Sequence, residues 1–222
     1  MIQLEHIDYD YQGIPALRDI TYTFEMGRCY CLEGPNGCGK STLFRILNGL
    51  AFPARGRYVL DSDAITEKRL RDDTFAKAFH AKIGYVFQNA EVQLFCKSVE
   101  DEIAFGLFQL GLPEGEIEER VEKYIRQLNL ASLRKRTPYN LSGGEKKRVA
   151  LAAVLAMDPP ILMFDEPLSG LDEDGQCWIT DFIRALKSTG KLIIISTHNR
   201  RLAGQLADVH VRMNKDHRII CP

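Results

Sequence analysis

The chain has 222 residues, 45% of them apolar and 27% charged, with a formal net charge of −1. That length buries a substantial core and fits one domain of two lobes, or two small domains. The charge balance lacks the basic excess of a nucleic-acid binder, and the longest apolar runs, such as Val149 to Met157, fall short of the roughly 20 residues that cross a bilayer.

In chain order, Ile2-Gln3-Leu4-Glu5-His6-Ile7 alternates apolar and polar residues, which predicts a half-buried strand. Further strands are expected near Ile20 to Phe24 and from Cys29 to Glu33. The latter runs into a glycine-rich loop, after which Thr42 to Gly49 reads as a helix stopping at its glycine. Arg57 to Leu60 and Ile83 to Phe87 are also read as strands.

The texture changes from about Ser98 to Met157. Val99, Ile103, Gly106 and Leu110 lie at helical spacing. After Pro113, a good first-turn residue, Ile117, Val121, Tyr124 and Leu128 repeat it. Val149, Ala152, Ala153 and Ala156 mark a third helix, so this stretch is expected to be an all-helical insertion. Strands return at Ile161 to Phe164 and Lys191 to Ile195, apolar runs that suit a parallel sheet covered on both faces. A helix from about Asp174 to Lys187 separates them. Cys29, Cys31, Cys38, Cys96, Cys177 and Cys221 have neither paired spacing nor scaffold density, so they read as reduced packing residues of a cytosolic protein. No charged-then-apolar leader opens the sequence, and secretion is not expected.

The chemistry gathers at a few points. Gly34-Pro35-Asn36-Gly37-Cys38-Gly39-Lys40-Ser41 is a complete phosphate loop between a strand and a helix. Its glycines let backbone amides turn inward around phosphate oxygens, and the following helix aims its positive end at the same anion. Lys40 is expected to bridge the β- and γ-phosphates, Ser41 to bind Mg²⁺, and Thr42 to reach the α-phosphate. Cys38 is expected to turn its side chain away. Alone, the loop says only nucleoside-triphosphate binding.

Ile161 to Phe164 drive a strand into the core and leave Asp165 and Glu166 at its carboxyl end. For an arbitrary Asp-Glu pair a surface helix cap is the default, but the strand before it and Pro167 after it argue otherwise. Asp165 is expected to hold Mg²⁺, and Glu166 to orient or deprotonate an attacking water. His198 ends another strand, where an imidazole nitrogen can meet the γ-phosphate. His6, His80, His210 and His217 have no such context and read as structural or surface residues. Gln88 ends the strand before the helical stretch; spacing alone leaves it between a functional and an ordinary loop residue. Ser142, Gly143 and Gly144 open a helix, a second anion-suited start in a chain that already owns a phosphate loop.

In this order, the phosphate loop, Leu141-Ser142-Gly143-Gly144-Glu145, Asp165-Glu166 and His198 resemble the ATP-binding subunit of an ABC (ATP-binding cassette) transporter over nearly the whole chain. The resemblance implies an ATPase of the α/β P-loop class. Its mainly parallel core and N-terminal antiparallel β subdomain would take 1–95 and 158–222, with the helical subdomain at 96–157. It further implies that two subunits, identical or different, pair head to tail. Each would lay Leu141 to Glu145 over the γ-phosphate held by its partner, and the Ser169-Gly170-Leu171-Asp172 segment would cross the same interface. It gives Gln88 the Mg²⁺ and the water as neighbours and a hinge between the lobes. It assigns an aromatic adenine platform before the second strand, which Tyr11 fits better than Tyr9. Glu145 in place of glutamine and Leu168-Ser169 in place of threonine-alanine remove no catalytic group.

Gln88-Asn89-Ala90-Glu91-Val92-Gln93-Leu94-Phe95, with Val99 to Gly106, is similar to energy-coupling-factor importers of metal ions or vitamins. That implies a peripheral subunit on the cytoplasmic face of the cell membrane, bound to integral membrane subunits and to no nucleic acid. A groove near Gln88 to Phe105 would receive the membrane subunit. Leu94, Phe95, Phe105 and Phe108 are candidates to line it, with burial inside the lobe the other reading for Phe105 and Phe108. A conventional ABC importer or exporter is the alternative. A non-transport ABC protein lacks support, since there is one cassette and no heptad run. So does a GTP switch, because in Asn214-Lys215-Asp216-His217 the aspartate comes one place early for a guanine-reading motif.

Overall fold

The computed structural model describes residues 1–220; Cys221 lies outside the described residues. Two sheets share one hydrophobic interior. The first is antiparallel, in the order β2-β1-β4-β5, from β1 (Ile2–Tyr11), β2 (Ile14–Phe24), β4 (Arg55–Leu60) and β5 (Asp63–Ala64). The second runs β10-β9-β3-β8-β7-β6, from β3 (Cys29–Glu33), β6 (Ile83–Val86), β7 (Ile161–Asp165), β8 (Leu192–Thr197), β9 (Val209–Met213) and β10 (Ile219–Ile220). All its pairings are parallel except β10 with β9.

The central strands are apolar until their carboxyl ends because both of their faces are covered. Cys29, Cys31, Leu162, Phe164, Ile193 and Ile195 point into one hydrophobic cluster. Their alternates Tyr30, Leu32, Ile161, Met163, Leu192 and Ile194 point into the other. The second cluster is filled by α1 (Lys40–Leu47), which touches β2 and β7. Two short helices, α2 (Glu67–Leu70) and α3 (Asp73–Ala81), follow; among them only Phe79 is buried.

On the opposite face lie α4 (Val99–Gln109), α5 (Glu114–Gln127) and α6 (Gly143–Ala156), then α7 (Glu173–Lys187) and α8 (Arg200–Leu206). Ile103, Leu107, Val121, Ile125, Val149 and Leu155 belong to the same cluster as Phe164 and Ile195. The three helices therefore rest on the sheet's own core and have no separate one. Contact between α4 and α6 is close: a Cβ on Gly106 would meet Met157 Sδ at 2.5 Å.

The expected fold class is the observed one, with small differences of extent. Pro113 is the residue before the first turn of α5 and caps it, one place earlier than read. The elements α3, α8 and β9 escaped prediction, since each buries few residues on one side only. Leu94 is buried and is not in the wall of the apolar groove that Phe95 and Phe105 line. The burial reading for Phe105 and Phe108 is overturned, since they are 42% and 59% exposed.

Phe164→Ala is expected to cost about 3–5 kcal/mol of stability, as core aromatic truncations do. Exposed Phe108→Ala should stay within about 0.5 kcal/mol of the parent. Urea unfolding of the two variants reads the contrast.

Candidate functional site

Four parallel strands end on one edge of the sheet, and their ends carry the chemistry. The turn after β3 delivers the glycine loop, β6 delivers Gln88, β7 delivers Asp165 and Glu166, and β8 delivers His198. A cleft of about 520 Å³ is lined by Tyr11, Asn36, Gly37, Gly39, Lys40, Ser41, Thr42, Gln88, Glu166 and His198. That volume lies within the roughly 300–1,000 Å³ of small-molecule sites.

The loop wraps tightly. Gly39 has φ +109°, and a Cβ there would sit 2.3 Å from the Ala16 carbonyl oxygen, so no other residue fits. Gly39 precedes α1, whose first turn has neither a side-chain cap nor an acidic residue. The positive end of the helix thus opens on the cleft. Lys40 is folded back along the loop and donates to the carbonyls of Gly34 (2.9 Å) and Pro35 (3.2 Å). Cys38 turns into the hydrophobic interior and does not line the cleft.

The two carboxylates of β7 have different surroundings. Asp165 is 5% exposed. One of its oxygens accepts from the Tyr85 hydroxyl at 3.2 Å, while Oδ1 is buried with no partner. A buried, unpaired carboxylate oxygen is costly unless a cation meets it, so the Asp165 carboxylate fits a hard divalent ion. Glu166 sits in the left-handed region at φ 43°, rare for a residue with a side chain. Its N–H donates to the Ser196 carbonyl, 2.9 Å away. One carboxylate oxygen meets His198 Nδ1 at 2.9 Å and the other accepts from Thr197 Oγ1 at 3.4 Å. The pairing assigns the Nδ1 proton of a neutral His198 to the glutamate side and leaves Nε2 for the cleft.

Tyr11 lies on the cleft wall. Tyr9 packs against the core, with the two rings edge to face at 4.9 Å. Asn214 accepts from the N–H groups of Asp216 and Arg218, so this segment closes its own hairpin turn between β9 and β10.

A second cleft, about 550 Å³, shares no residue with the first. It is lined by Ser142, Gly143, Gly144, Glu145 and Asp172, among others. Ser142 and Glu145 form a capping box at the start of α6: Glu145 N–H donates to Ser142 Oγ, and Ser142 N–H donates to Glu145 Oε2 at 2.7 Å. The Ser142 backbone N–H holds the Glu145 carboxyl below its usual range. Gly143 and Gly144, in the first turn, keep N–H groups that no intrahelical carbonyl reaches. Asp172 caps α7 by accepting from Gly175 N–H at 2.9 Å. Leu141, grouped by the sequence with the nucleotide-contacting residues, is instead buried among the helices, and its side chain does not face the cleft.

Three nearby side chains escaped the sequence reading. Tyr85 and Ser196 flank Asp165 and Glu166, inside strands read only as core. Lys147, on α6, is 3% exposed and donates to the carbonyls of Phe87 (3.3 Å) and Gln88 (3.1 Å). Burial pushes its ammonium down to about 8, with the Asp165 charge pulling the other way. Its partners lie some sixty residues away, so no local pattern marks it.

The chain matches the ABC transporter family over residues 17–169. It is 44% identical over 219 residues to the nickel import ATP-binding protein LarO of Lactiplantibacillus plantarum, covering 99% of this chain and 91% of that one. To the energy-coupling factor transporter ATP-binding protein EcfA of Methanothermobacter thermautotrophicus it is 42% identical over 209 residues, covering 94% and 66%. Among solved structures, a dimeric ATP-binding cassette in a post-hydrolysis state with ADP and Pi has a TM-score of 0.87 at 26% identity, covering 100% of this chain and 97% of that one.

Ser142→Ala is expected to cost about 1 kcal/mol through loss of the helix cap. For a chain of this size that lowers Tm by roughly 2–4 °C. Ser142→Asp, itself a good cap, should restore most of it in scanning calorimetry.

Proposed function

This chain belongs to the ABC transporter family as an ATP-binding, ATP-hydrolysing cassette, and we propose that it drives an importer of the energy-coupling-factor type for a metal ion or vitamin. The observation that carries the ATPase part of the reading is the division of its candidate nucleotide-binding groups between two clefts with no common residue. Neither alone surrounds a triphosphate, and head-to-tail pairing of two copies, or of this chain with a related one, joins one of each. The dimeric neighbour supports that pairing. The EcfA and LarO relatives support the subgroup and, through the latter's name, a metal cargo.

In this mechanism Tyr11 stacks on the adenine, and the backbone from Asn36 to Gly39, with Lys40 and Thr42, grips the phosphates. Ser41, Asp165 and Gln88 are the residues that would hold Mg²⁺, which would supply charge neutralisation to the phosphates. Glu166, oriented by His198 and Thr197, takes a proton from the attacking water as general base. His198 Nε2 contacts the γ-phosphate. From the facing subunit, the Gly143 and Gly144 amides cover the same phosphate, beside Ser142, Glu145 and Asp172. The unit 96–157 turns against the remainder, 1–95 and 158–222, as the pair closes.

Among the described residues no helix is long and apolar enough to cross a membrane. We assign the membrane contact to an open, mostly apolar groove of about 430 Å³ between α3 and α4. Ala76, His80, Phe95, Phe105 and Met157 are among its walls, and the Phe95 and Phe105 rings meet edge to face at 4.9 Å. A membrane subunit seated there holds the protein on the cytoplasmic face. A conventional ABC importer would use the same groove. The two readings separate on whether the copurifying partner set includes a small membrane-embedded substrate-binding component.

Glu166→Gln is expected to keep ATP affinity while lowering turnover by on the order of 10²-fold or more. With saturating ATP it should accumulate a nucleotide-bridged pair visible by light scattering. Unchanged turnover, or a monomer under those conditions with every candidate partner chain, sinks the assignment. Phe105→Glu should bind ATP as the parent does yet leave the membrane fraction on sedimentation.

A further inference from the structure

We propose that Lys147 is a positioning residue that fixes Gln88 and ties the α6 end covering the partner's nucleotide to the chain's own hydrolytic cleft. The proposal rests on the two-cleft reading above and adds the physical link between the halves. Lys147 is an almost completely buried ammonium, a group that proteins rarely bury without a task. Its donors meet the Phe87 and Gln88 carbonyls, at the point where β6 gives way to the cleft wall. Burying this charge costs stability that an apolar side chain of similar length would not. Packing therefore does not account for it, whereas control of the Gln88 backbone does.

The link is short and stiff. Lys147 lies four residues beyond Gly143, about 6 Å along the helix at 1.5 Å per residue. The neighbouring Lys146 forms an ion pair with Glu91 in the turn that follows Gln88, and α6 packs directly on that turn, Ala90–Val92. Two consecutive lysines thus clamp residues 87–91 to one helix. Phosphate binding at Gly143 and Gly144 cannot shift the first turn of α6 without shifting the Gln88 carbonyl. A subunit that has engaged its partner's nucleotide is then the one whose Gln88 is set for its own.

The test uses the full-length protein, as the homodimer or with its partner ATPase, and compares Lys147→Met, Lys147→Arg, Gln88→Ala and the Lys147→Met/Gln88→Ala double variant. ATP affinity is read by fluorescent-nucleotide titration and turnover by phosphate release. Lys147→Met is expected to lower kcat by about ten-fold to a hundred-fold, the scale of lost charged hydrogen bonds, with ATP affinity within about three-fold of the parent. Lys147→Arg, which can still donate to two carbonyls, should recover most of the turnover. Because Lys147 acts through Gln88, the double variant should be no slower than the slower single variant. Multiplying losses in the double variant, parental turnover in Lys147→Met, or a loss that follows ATP affinity and Tm together and is not rescued by arginine would each overturn the proposal. A parent protein that binds ATP without hydrolysing it would overturn the parent reading as well, and is distinguished because the failure precedes any substitution.

Discussion

The site depends on one constraint: parallel strands buried on both faces must end together. β3, β8, β7 and β6 lie side by side in parallel register. Their apolar side chains alternate between two hydrophobic clusters and exclude water from both faces. Polar residues become possible only where the strands leave that interior, and for a parallel sheet all those exits lie along one edge. Gln88, Asp165, Glu166 and His198, distant in sequence, become neighbours for this reason. Asp165 sits at the limit of the rule: it is still within β7, still buried, and carries an oxygen without a partner.

Electrostatics then divides the labour. The start of α1 carries no acidic residue or side-chain cap and faces the cleft as a bare positive end. The start of α6 is closed by Ser142 and Glu145 and leaves only its glycine amides. An uncapped start is completed by an anion bound against it. A capped start is stable without one. The same chain can therefore fold with its second helix terminus satisfied and still leave first-turn amides free to meet an anion.

Much of this was legible in the sequence because it was local. A strand-loop-helix with a full phosphate motif leaves few alternatives, and Ile161-Leu162-Met163-Phe164 before Asp165 marks a buried strand with polar residues at its end. What escaped was relational. Periodicity shows that Leu94, Phe105 and Phe108 share the helical region, but not which of them a neighbour covers; Leu94 is buried and the two phenylalanines are not. Leu141 stands beside Ser142 in sequence, yet belongs to the packing that holds the pentapeptide in place. Tyr85 and Lys147 reach their partners across 80 and about 60 residues of chain, and neither stands in a pattern that a linear reading could weight. The helices α3 and α8 are short and bury few side chains, so their apolar signal was too thin to separate from a loop.

Cys38 adds a chemical property to the loop that grips the phosphates. Its sulfur lies in the interior against Gly34, while Cys177 is exposed on α7. Oxidants and soft-metal electrophiles attack the sulfur they can reach. They would spend themselves on Cys177, at the molecular surface, and leave the loop's thiol unmodified. Burial alone thus keeps a cysteine in the phosphate loop without making it a point of attack.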